Sequence, residues 1–160
     1  MCPSDVEVLI GLLKERGRTM AAAESCTGGM IGAAVTDMPG CSEVFKGSAV
    51  TYSNEAKMAL LGVSEDTLIR NGAVSAETAK QMALGAARVY HSDYSVAVTG
   101  IAGPGGATDT KPVGLVYIAV SDGSRVVATR NLFDGDRRNV REQTVVEALR
   151  LLSDMIRGLL

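Results

Sequence analysis

The sequence predicts an α/β domain with three layers, in which helices cover both faces of a mixed, mainly parallel sheet that contains one antiparallel hairpin. Three observations support this fold class. Segments with helical and strand patterns alternate along the chain, Tyr94 to Val98 is a nearly continuous apolar run typical of a strand buried on both faces, and Asp122-Gly123 separates two apolar runs as a hairpin turn does. The length of 160 residues favours a single domain over residues 1–160.

The N-terminal part of the chain has the pattern helix, strand, helix, strand. Ser4 has the spacing of a capping box with the glutamate that follows it, and the apolar face after it predicts a helix that ends near Gly17. Residues 19–23 predict a short buried strand, and the small residues 30–35 predict a helix that packs closely on the sheet. Residues 44–52 have the composition of a strand.

The remaining elements are predicted from caps, periodicity and composition. Capped or periodic segments predict helices after Ser53 or Asn54, from Ser64 to Arg70, from Ser75 to about Tyr90, and from about Arg137 to Ile156. Apolar runs predict strands at 94–98, 113–120 and 125–132, of which the last two form the hairpin. The long helix that begins at Ser75 is rich in alanine, which gives it a small-residue face for close contact.

Charge and cysteine content argue against several classes of protein. The net charge is -2 with both signs mixed along the chain, whereas proteins that bind duplex nucleic acid cluster Lys and Arg. Cys2, Cys26 and Cys41 are odd in number and form no CxxC pair, which fits a reducing compartment better than a disulfide framework. No segment approaches the roughly 18 consecutive apolar residues that a membrane span needs. We therefore expect a cytoplasmic protein with no nucleic-acid or membrane partner.

Two loops, residues 24–29 and 99–106, each follow a predicted strand and carry unusual residues. Ligands of open α/β sheets gather beyond the carboxyl ends of strands, because loops there expose backbone N–H groups that attract anions. Glycines also form ordinary tight turns, so either loop alone would be weak support for a site. The second loop has Thr108 where a dinucleotide fingerprint needs its third glycine, and the chain contains no P-loop. The loops therefore predict a general phosphate or oxyanion site.

Three adjacent residues, Ser25, Cys26 and Thr27, are candidate nucleophiles. They precede a predicted helix, whose N-terminal field would stabilise a deprotonated hydroxyl or thiol. The alternative is that Ser25 or Thr27 only caps that helix. Cys26 would be the better intrinsic nucleophile if it were exposed, but a single cysteine is most often a buried small apolar residue.

The general base is harder to assign. His91 is the only histidine, and it follows the long alanine-rich helix, away from both glycine loops, which disfavours a Ser–His or Cys–His pair and a histidine metal site. Lys57 could act as a base if burial or a neighbouring cation lowers its pKa; otherwise it is a solvated helix lysine. Glu24 and Glu55 have the ordinary interpretation of surface or capping charges.

Arg137 and Arg141 lie four residues apart at the start of the last predicted helix, so they share one face. Together with the helix N-terminus they could hold a phosphate group. A solvated charge cluster explains the same spacing equally well.

The residues around these candidates resemble a known family. Six stretches carry the resemblance, namely residues 23–29 (AESCTGG), 50–57 (VTYSNEAK), 72–75 (GAVS), 99–104 (TGIAGP), 111–114 (KPVG) and 135–137 (GDR). They closely resemble the CinA C-terminal domain family, in the family's order and over nearly the whole chain. The resemblance implies a nicotinamide-nucleotide amidase, which converts nicotinamide mononucleotide and water to nicotinate mononucleotide and ammonia with a serine–lysine pair and with no metal or cofactor.

The resemblance also implies roles for individual positions. Ser25 matches the nucleophile and Lys57 the base, and Tyr52 joins them as a catalytic residue. The expected substrate-binding residues, including those of the two loops, are Thr27, Gly28, Gly29, Thr99, Gly100, Gly103, Arg137 and Arg141. The family usually assembles as homodimers or larger. Many relatives carry an N-terminal domain similar to molybdopterin-binding proteins, which we expect this chain to lack because it begins at the amidase-like helix.

Two other functions remain open from the sequence. The first is a non-catalytic nucleotide-binding module, such as an accessory protein connected with DNA uptake. The second is a pyrophosphatase that cleaves ADP-ribose or a related dinucleotide. We rank the pyrophosphatase last, because that reaction usually needs carboxylate-held Mg²⁺ and no such acidic cluster is visible.

Overall fold

The computed structural model describes residues 3–160, without the side chains of residues 3 and 4. The capping box predicted at Ser4 and the cysteine Cys2 therefore lie outside the described residues. The strands are β1 (Met20–Glu24), β2 (Phe45–Val50), β3 (Tyr94–Gly100), β4 (Leu115–Ser121) and β5 (Val126–Leu132). The α-helices are α1 (Pro3–Glu15), α2 (Met30–Thr36), α3 (Asn54–Leu61), α4 (Glu65–Asn71), α5 (Ala76–Tyr90) and α6 (Arg137–Arg157), and a 3₁₀ turn covers Cys41–Glu43.

The five strands form one sheet in the order β2-β1-β3-β4-β5. β1 pairs in parallel with β2 and β3, whereas β4 is antiparallel to both β3 and β5, so only β4 runs against the others. This arrangement confirms the predicted mixed, mainly parallel sheet with one antiparallel hairpin. Because β1, β2 and β3 are parallel, their carboxyl ends meet at one edge of the sheet, and the loops that follow them lie together there.

Helices cover both faces of the sheet, which confirms the predicted three layers. Side chains alternate along each strand, so the two faces differ in character. One face carries large residues such as Val96 and Ile118 and packs against α1, α2 and α6. The other carries alanines such as Ala97 and Ala119 and packs against α3 and α5, with α4 beside α5. The alanine-rich helix is therefore matched by an alanine-rich sheet face.

The close fit of α3 against α5 depends on a glycine. A Cβ added at Gly85 of α5 would lie 2.2 Å from the carbonyl oxygen of Leu61, the last residue of α3. No side chain fits in that gap, and Leu61 itself is buried against α5. This contact fixes α3, the helix that carries Lys57, against the body of the domain.

The predicted elements are all found, with differences at their ends. Ser53, Ser64 and Ser75 each accept a hydrogen bond from a backbone N–H of the helix that follows, so all three are helix N-caps. The strand predicted from residue 113 begins at Leu115, because Gly114 has a left-handed backbone (φ 90°) and bonds back to Ile101. No helix among residues 3–160 has the length and apolar character to cross a membrane.

Candidate active site

The loop that follows β1 is a tight turn at the carboxyl edge of the sheet. The Ser25 N–H donates to the Val98 carbonyl of β3, and the Gly28 N–H donates back to the Ser25 carbonyl at 3.1 Å. Gly28 and Gly29 then have left-handed backbones, with φ of 60° and 103°, which residues with a Cβ adopt only with strain. The two glycines thus lead the chain into α2, and Ser25 is the first residue of the loop after β1.

Ser25 and Lys57 lie side by side. The Lys57 Nζ atom is 3.0 Å from the Ser25 Oγ atom and donates a 2.7 Å hydrogen bond to the Thr51 carbonyl oxygen. Lys57 is on α3, which Ser53 caps just after β2 ends, so the chain enters this helix directly from the sheet edge. The structure therefore brings together two residues that are separated by 32 positions in the sequence.

Lys57 is buried without a compensating charge. Its side chain is among the largest that are fully buried, with a relative exposure of 1%, and none of the ion pairs among residues 3–160 includes it. Burial disfavours the charged ammonium and lowers the pKa of Lys57 below its usual value. None of the other lysines is buried. The site thus favours the uncharged amine, which is the form that can accept a proton.

The alternative nucleophile and base fit the geometry less well. Burial raises the pKa of the Cys26 thiol to about 11, so this cysteine is a protonated, buried side chain and a poor nucleophile. His91 ends α5 with a left-handed backbone (φ 51°) and is exposed. None of the hydrogen bonds described for residues 3–160 joins His91 to the loop after β1.

Glu24, expected from the sequence to be a surface or capping charge, is fully buried and organises this loop. Its carboxylate accepts five hydrogen bonds, from the hydroxyls of Thr27 and Ser48 and from the backbone N–H groups of Gly29, Ile31 and Gly32. The surface interpretation is therefore wrong, and the capping interpretation is correct. A sequence signal was available, since an acidic residue ends an apolar strand just before a helix whose N-cap, Gly29, has no side chain.

The hypothesis that Ser25 or Thr27 caps α2 is wrong. Thr27 donates its hydroxyl to Glu24 at 2.6 Å, and Ser25 contacts Lys57 instead of a helix amide. From the sequence, the helix field of α2 is expected to stabilise a deprotonated Ser25, Cys26 or Thr27. Instead, the N–H groups of Ile31 and Gly32 at the start of this helix bind the Glu24 carboxylate. The setting of Ser25 is therefore governed by the lysine rather than by the helix dipole.

Arg137 and Arg141 share a helix face, as predicted, but their guanidinium groups bind different loops. Arg141 donates through Nε and Nη2 to the carbonyl oxygens of Cys26 and Thr27. Arg137 donates to the Gly103 carbonyl and to the hydroxyl of Tyr52, whose exposed ring stands at the end of β2. The two arginines thus tie α6 to three loops of the sheet edge.

A surface cavity of about 580 Å³ opens beside these arginines. It is lined by Met30, Asp136, Arg137, Arg138, Arg141 and Glu142. Ser25 and Lys57 do not line it, and Arg141 connects it to the loop that carries Ser25. Its charged groups are three guanidinium groups and the carboxylates of Asp136 and Glu142, and Arg138 is paired with Glu142 at 2.7 Å, so an anion would be held by Arg137 and Arg141.

The remaining predicted residues lie at the same edge of the sheet. Thr99 follows Val98, the residue whose carbonyl bonds to Ser25, and its own buried hydroxyl donates to the Ala73 carbonyl at 2.8 Å. Gly100 ends β3, and Gly103 meets Arg137 through its carbonyl. Among residues 3–160 no group of three or more His, Cys, Asp or Glu side chains is arranged to hold a metal ion.

Comparison with known proteins places this chain in a family. The family model for the CinA C-terminal domain matches residues 4–156. A competence/damage inducible protein from Agrobacterium tumefaciens, solved by crystallography, is 42% identical, with a TM-score of 0.91 over 94% of this chain and 92% of that one. A CinA superfamily protein from Klebsiella pneumoniae is 31% identical, with a TM-score of 0.94 over 98% of both chains.

Curated relatives are longer than this chain. A CinA-like protein of Endomicrobium trichonymphae is 55% identical over 141 residues, which are 88% of this chain and 33% of that protein. A CinA-like protein of Thermotoga maritima is 45% identical over 152 residues, which are 95% of this chain and 37% of that protein. The chain thus spans about a third of the length of these relatives. With a family model that covers nearly all of it, the chain belongs to the CinA C-terminal domain family.

Proposed function

We propose that this protein is a nicotinamide-nucleotide amidohydrolase, which hydrolyses nicotinamide mononucleotide to nicotinate mononucleotide and ammonia. The observation that supports the proposal most strongly is the buried Lys57 amine, 3.0 Å from the Ser25 hydroxyl oxygen and without a carboxylate partner. A surface lysine would be charged at neutral pH and could not take a proton from serine. A buried, unpaired lysine is the arrangement that a serine–lysine hydrolase needs.

The hydrogen bonds of Lys57 show how its protonation state decides whether it can act as a base. An uncharged amine has two N–H donors and one lone pair, and one donor is used by the Thr51 carbonyl. The lone pair is then available to the Ser25 hydroxyl, which donates to it. A charged ammonium has no lone pair and could only donate to Ser25 Oγ, so protonation of Lys57 would abolish its action as a base.

Acyl transfer follows from this pair. Ser25 transfers its proton to Lys57 while Oγ attacks the carboxamide carbon of the substrate, which forms a tetrahedral intermediate. Lys57 then gives the proton to the departing nitrogen, and ammonia leaves an ester on Ser25. Water, deprotonated by Lys57, hydrolyses that ester to the carboxylate of nicotinate mononucleotide and restores the serine.

The surroundings of the pair suit a cationic ring that carries a phosphate. Arg137 and Arg141 line this cavity, and Nη1 of Arg141 makes no hydrogen bond to residues 3–160, so it is available to a phosphate group. The exposed ring of Tyr52 follows Thr51, whose carbonyl binds Lys57, and an aromatic face attracts a pyridinium cation. The positive charge of that ring would also favour the uncharged form of Lys57.

The test is release of ammonia from nicotinamide mononucleotide, compared with the riboside and with free nicotinamide. Ser25→Ala and Lys57→Met are expected to lose all measurable turnover with the fold intact, as judged by circular dichroism. Cys26→Ala is the matched control and is expected to keep most of the activity. Turnover near the wild-type rate in either of the first two variants would refute the serine–lysine pair. Binding of the nucleotide by the wild type without ammonia release would favour a non-catalytic nucleotide-binding module.

A further inference from the structure

The backbone N–H groups that follow the proposed nucleophile are almost all occupied. The bonded amides are Ser25 (to the Val98 carbonyl), Gly28 (to the Ser25 carbonyl), Gly29, Ile31 and Gly32 (to the Glu24 carboxylate) and Met30 (to the Thr27 carbonyl). The N–H groups of Cys26 and Thr27 are the exceptions. No other residue among 3–160 accepts from them, and the Cys26 N–H meets only its own thiol, which is a weak acceptor.

Unpaired amides at this position are unusual. Cys26 and Thr27 are 5% and 0% exposed, and buried backbone N–H groups in proteins are nearly always paired. Two consecutive exceptions directly after the candidate nucleophile leave two backbone donors without an acceptor beside Ser25.

The turn aims both amides in a defined direction. The Gly28 N–H bonds to the Ser25 carbonyl, and neither Cys26 nor Thr27 has a positive φ, so residues 25–28 have the character of a type I turn. In a trans peptide the N–H and C=O groups point in opposite directions. The Cys26 carbonyl is held by Arg141 Nε, so the Thr27 N–H, in the same peptide group, points away from the guanidinium.

The neighbouring peptide groups are fixed in the same way. The Ser25 carbonyl is held by the Gly28 N–H, so the Cys26 N–H of that peptide group points to the opposite side. Arg141 Nη2 also binds the Thr27 carbonyl at 2.8 Å, which prevents the turn from rotating. Arg141 therefore occupies the carbonyl side of the turn, and no residue among 3–160 accepts a hydrogen bond on its amide side.

We propose that the Cys26 and Thr27 N–H groups form the oxyanion hole for the tetrahedral intermediate on Ser25, and that Arg141 is a positioning residue that orients them. The oxyanion forms on a carbon bonded to Ser25 Oγ, so its donors must lie within reach of that atom. The Cys26 and Thr27 amides lie close to Ser25 because these two residues follow it directly in the chain. The inference rests on the proposed acyl transfer to Ser25.

The first test removes one backbone donor and uses a control that removes the same thiol. Cys26→Pro deletes the N–H at the second position of a type I turn, where proline is favoured, and Cys26→Ala keeps the N–H while it removes the same thiol. Relative to Cys26→Ala, Cys26→Pro is expected to lower kcat about 10²–10³-fold with KM changed little, which is the usual loss for one oxyanion donor. A folded Cys26→Pro variant with kcat within threefold of Cys26→Ala would overturn the proposal and leave the loop of residues 99–106 as the candidate source of the donors.

The second test separates positioning from phosphate binding and does not depend on the nucleotide being the substrate. Acylation of Ser25 by p-nitrophenyl acetate, which has no phosphate, is followed as the burst of p-nitrophenolate. Arg141→Met is expected to slow this burst at least tenfold, and Arg150→Met, a control on the same helix with exposed ion pairs only, is expected to leave it unchanged. A burst unchanged in Arg141→Met would overturn the positioning role even if Cys26→Pro fails to fold.

The two assays also distinguish the failure of this inference from the failure of the proposed function. If the wild type releases no ammonia from nicotinamide mononucleotide but shows a Ser25-dependent burst that Arg141→Met slows, the assigned substrate is wrong and the oxyanion hole stands. If ammonia release is normal and the burst is insensitive to Arg141→Met and Cys26→Pro, the function stands and the oxyanion hole lies elsewhere.

Discussion

Glu24→Gln tests the structural basis of the nucleophile loop, because it replaces one carboxylate oxygen by an NH₂ group without changing the shape of the side chain. The Oε2 atom accepts from the Thr27 hydroxyl and from the Gly29 and Ile31 amides, and Oε1 accepts from the Gly32 amide and the Ser48 hydroxyl. All five partners are donors. A glutamine therefore faces at least two of them with its own donor group.

The cost can be worked out from these contacts. The better orientation places the NH₂ group at the Oε1 position, where the Ser48 hydroxyl can rotate and accept, so that only the Gly32 N–H loses its partner. An unpaired buried donor costs about 1–3 kcal/mol, and the remaining bonds weaken because the acceptor is no longer charged. We expect Glu24→Gln to lower the free energy of unfolding by roughly 2–4 kcal/mol.

Urea unfolding followed by circular dichroism measures this change. Glu43→Gln is the matched control, since Glu43 pairs with Lys14 on the surface and its loss is expected to cost less than about 1 kcal/mol. The reasoning would be refuted if the two variants had the same free energy of unfolding. Glu24→Gln is also expected to lower kcat, because Thr27 and Gly29 would no longer be held beside Ser25.

Three further predictions follow from the contacts of single residues. Gly85→Ala is expected to lower the free energy of unfolding by about 1–3 kcal/mol or more, because its Cβ would meet the Leu61 carbonyl at 2.2 Å. Gly11→Ala is the control, since no atom lies within 4 Å of the added Cβ, and thermal denaturation is expected to show it to be neutral or stabilising. The acidic limb of the pH profile of kcat/KM is expected to reflect the lowered pKa of Lys57, so activity rises with pH as Lys57 loses its proton. Cys26→Ala is expected to leave that limb in place. The free energy of unfolding of the wild type is expected to rise with pH between the pKa of folded Lys57 and its unfolded value of 10.5, by up to about 1.4 kcal/mol per pH unit. The rise occurs because the unfolded state binds the lysine proton more tightly in this range. An identical rise in Lys57→Met would exclude Lys57 as its source.

Local patterns were sufficient to predict the fold. The caps at Ser53, Ser64 and Ser75 depend on residues three positions apart, and the hairpin at Asp122-Gly123 depends on two, so sequence alone contains what determines them. The alanine-rich character of α5 likewise predicted close packing, and the structure shows this packing against an alanine face of the sheet.

The site could be predicted only in part, because its chemistry depends on tertiary burial. Lys57 stands beside exposed polar residues in a short helix, and no local pattern distinguishes it from a solvated lysine. In the folded domain α3 packs on α5, and the Lys57 side chain is 1% exposed with its amine at Ser25 Oγ and the Thr51 carbonyl. Arg141 shows the same limit, since its spacing from Arg137 predicts a shared face but not that the two side chains bind different loops.

The most direct test of the central claim is the titration of Lys57 itself, which needs no substrate. Carbon-13 labelling of the lysine side chains gives one resonance for each lysine, and Lys57→Met identifies the resonance of Lys57 by its absence. The buried amine is expected to titrate clearly below the usual lysine pKa of 10.5, because burial lowers its pKa. If the Lys57 resonance titrates near 10.5, the amine is charged at neutral pH and cannot activate Ser25.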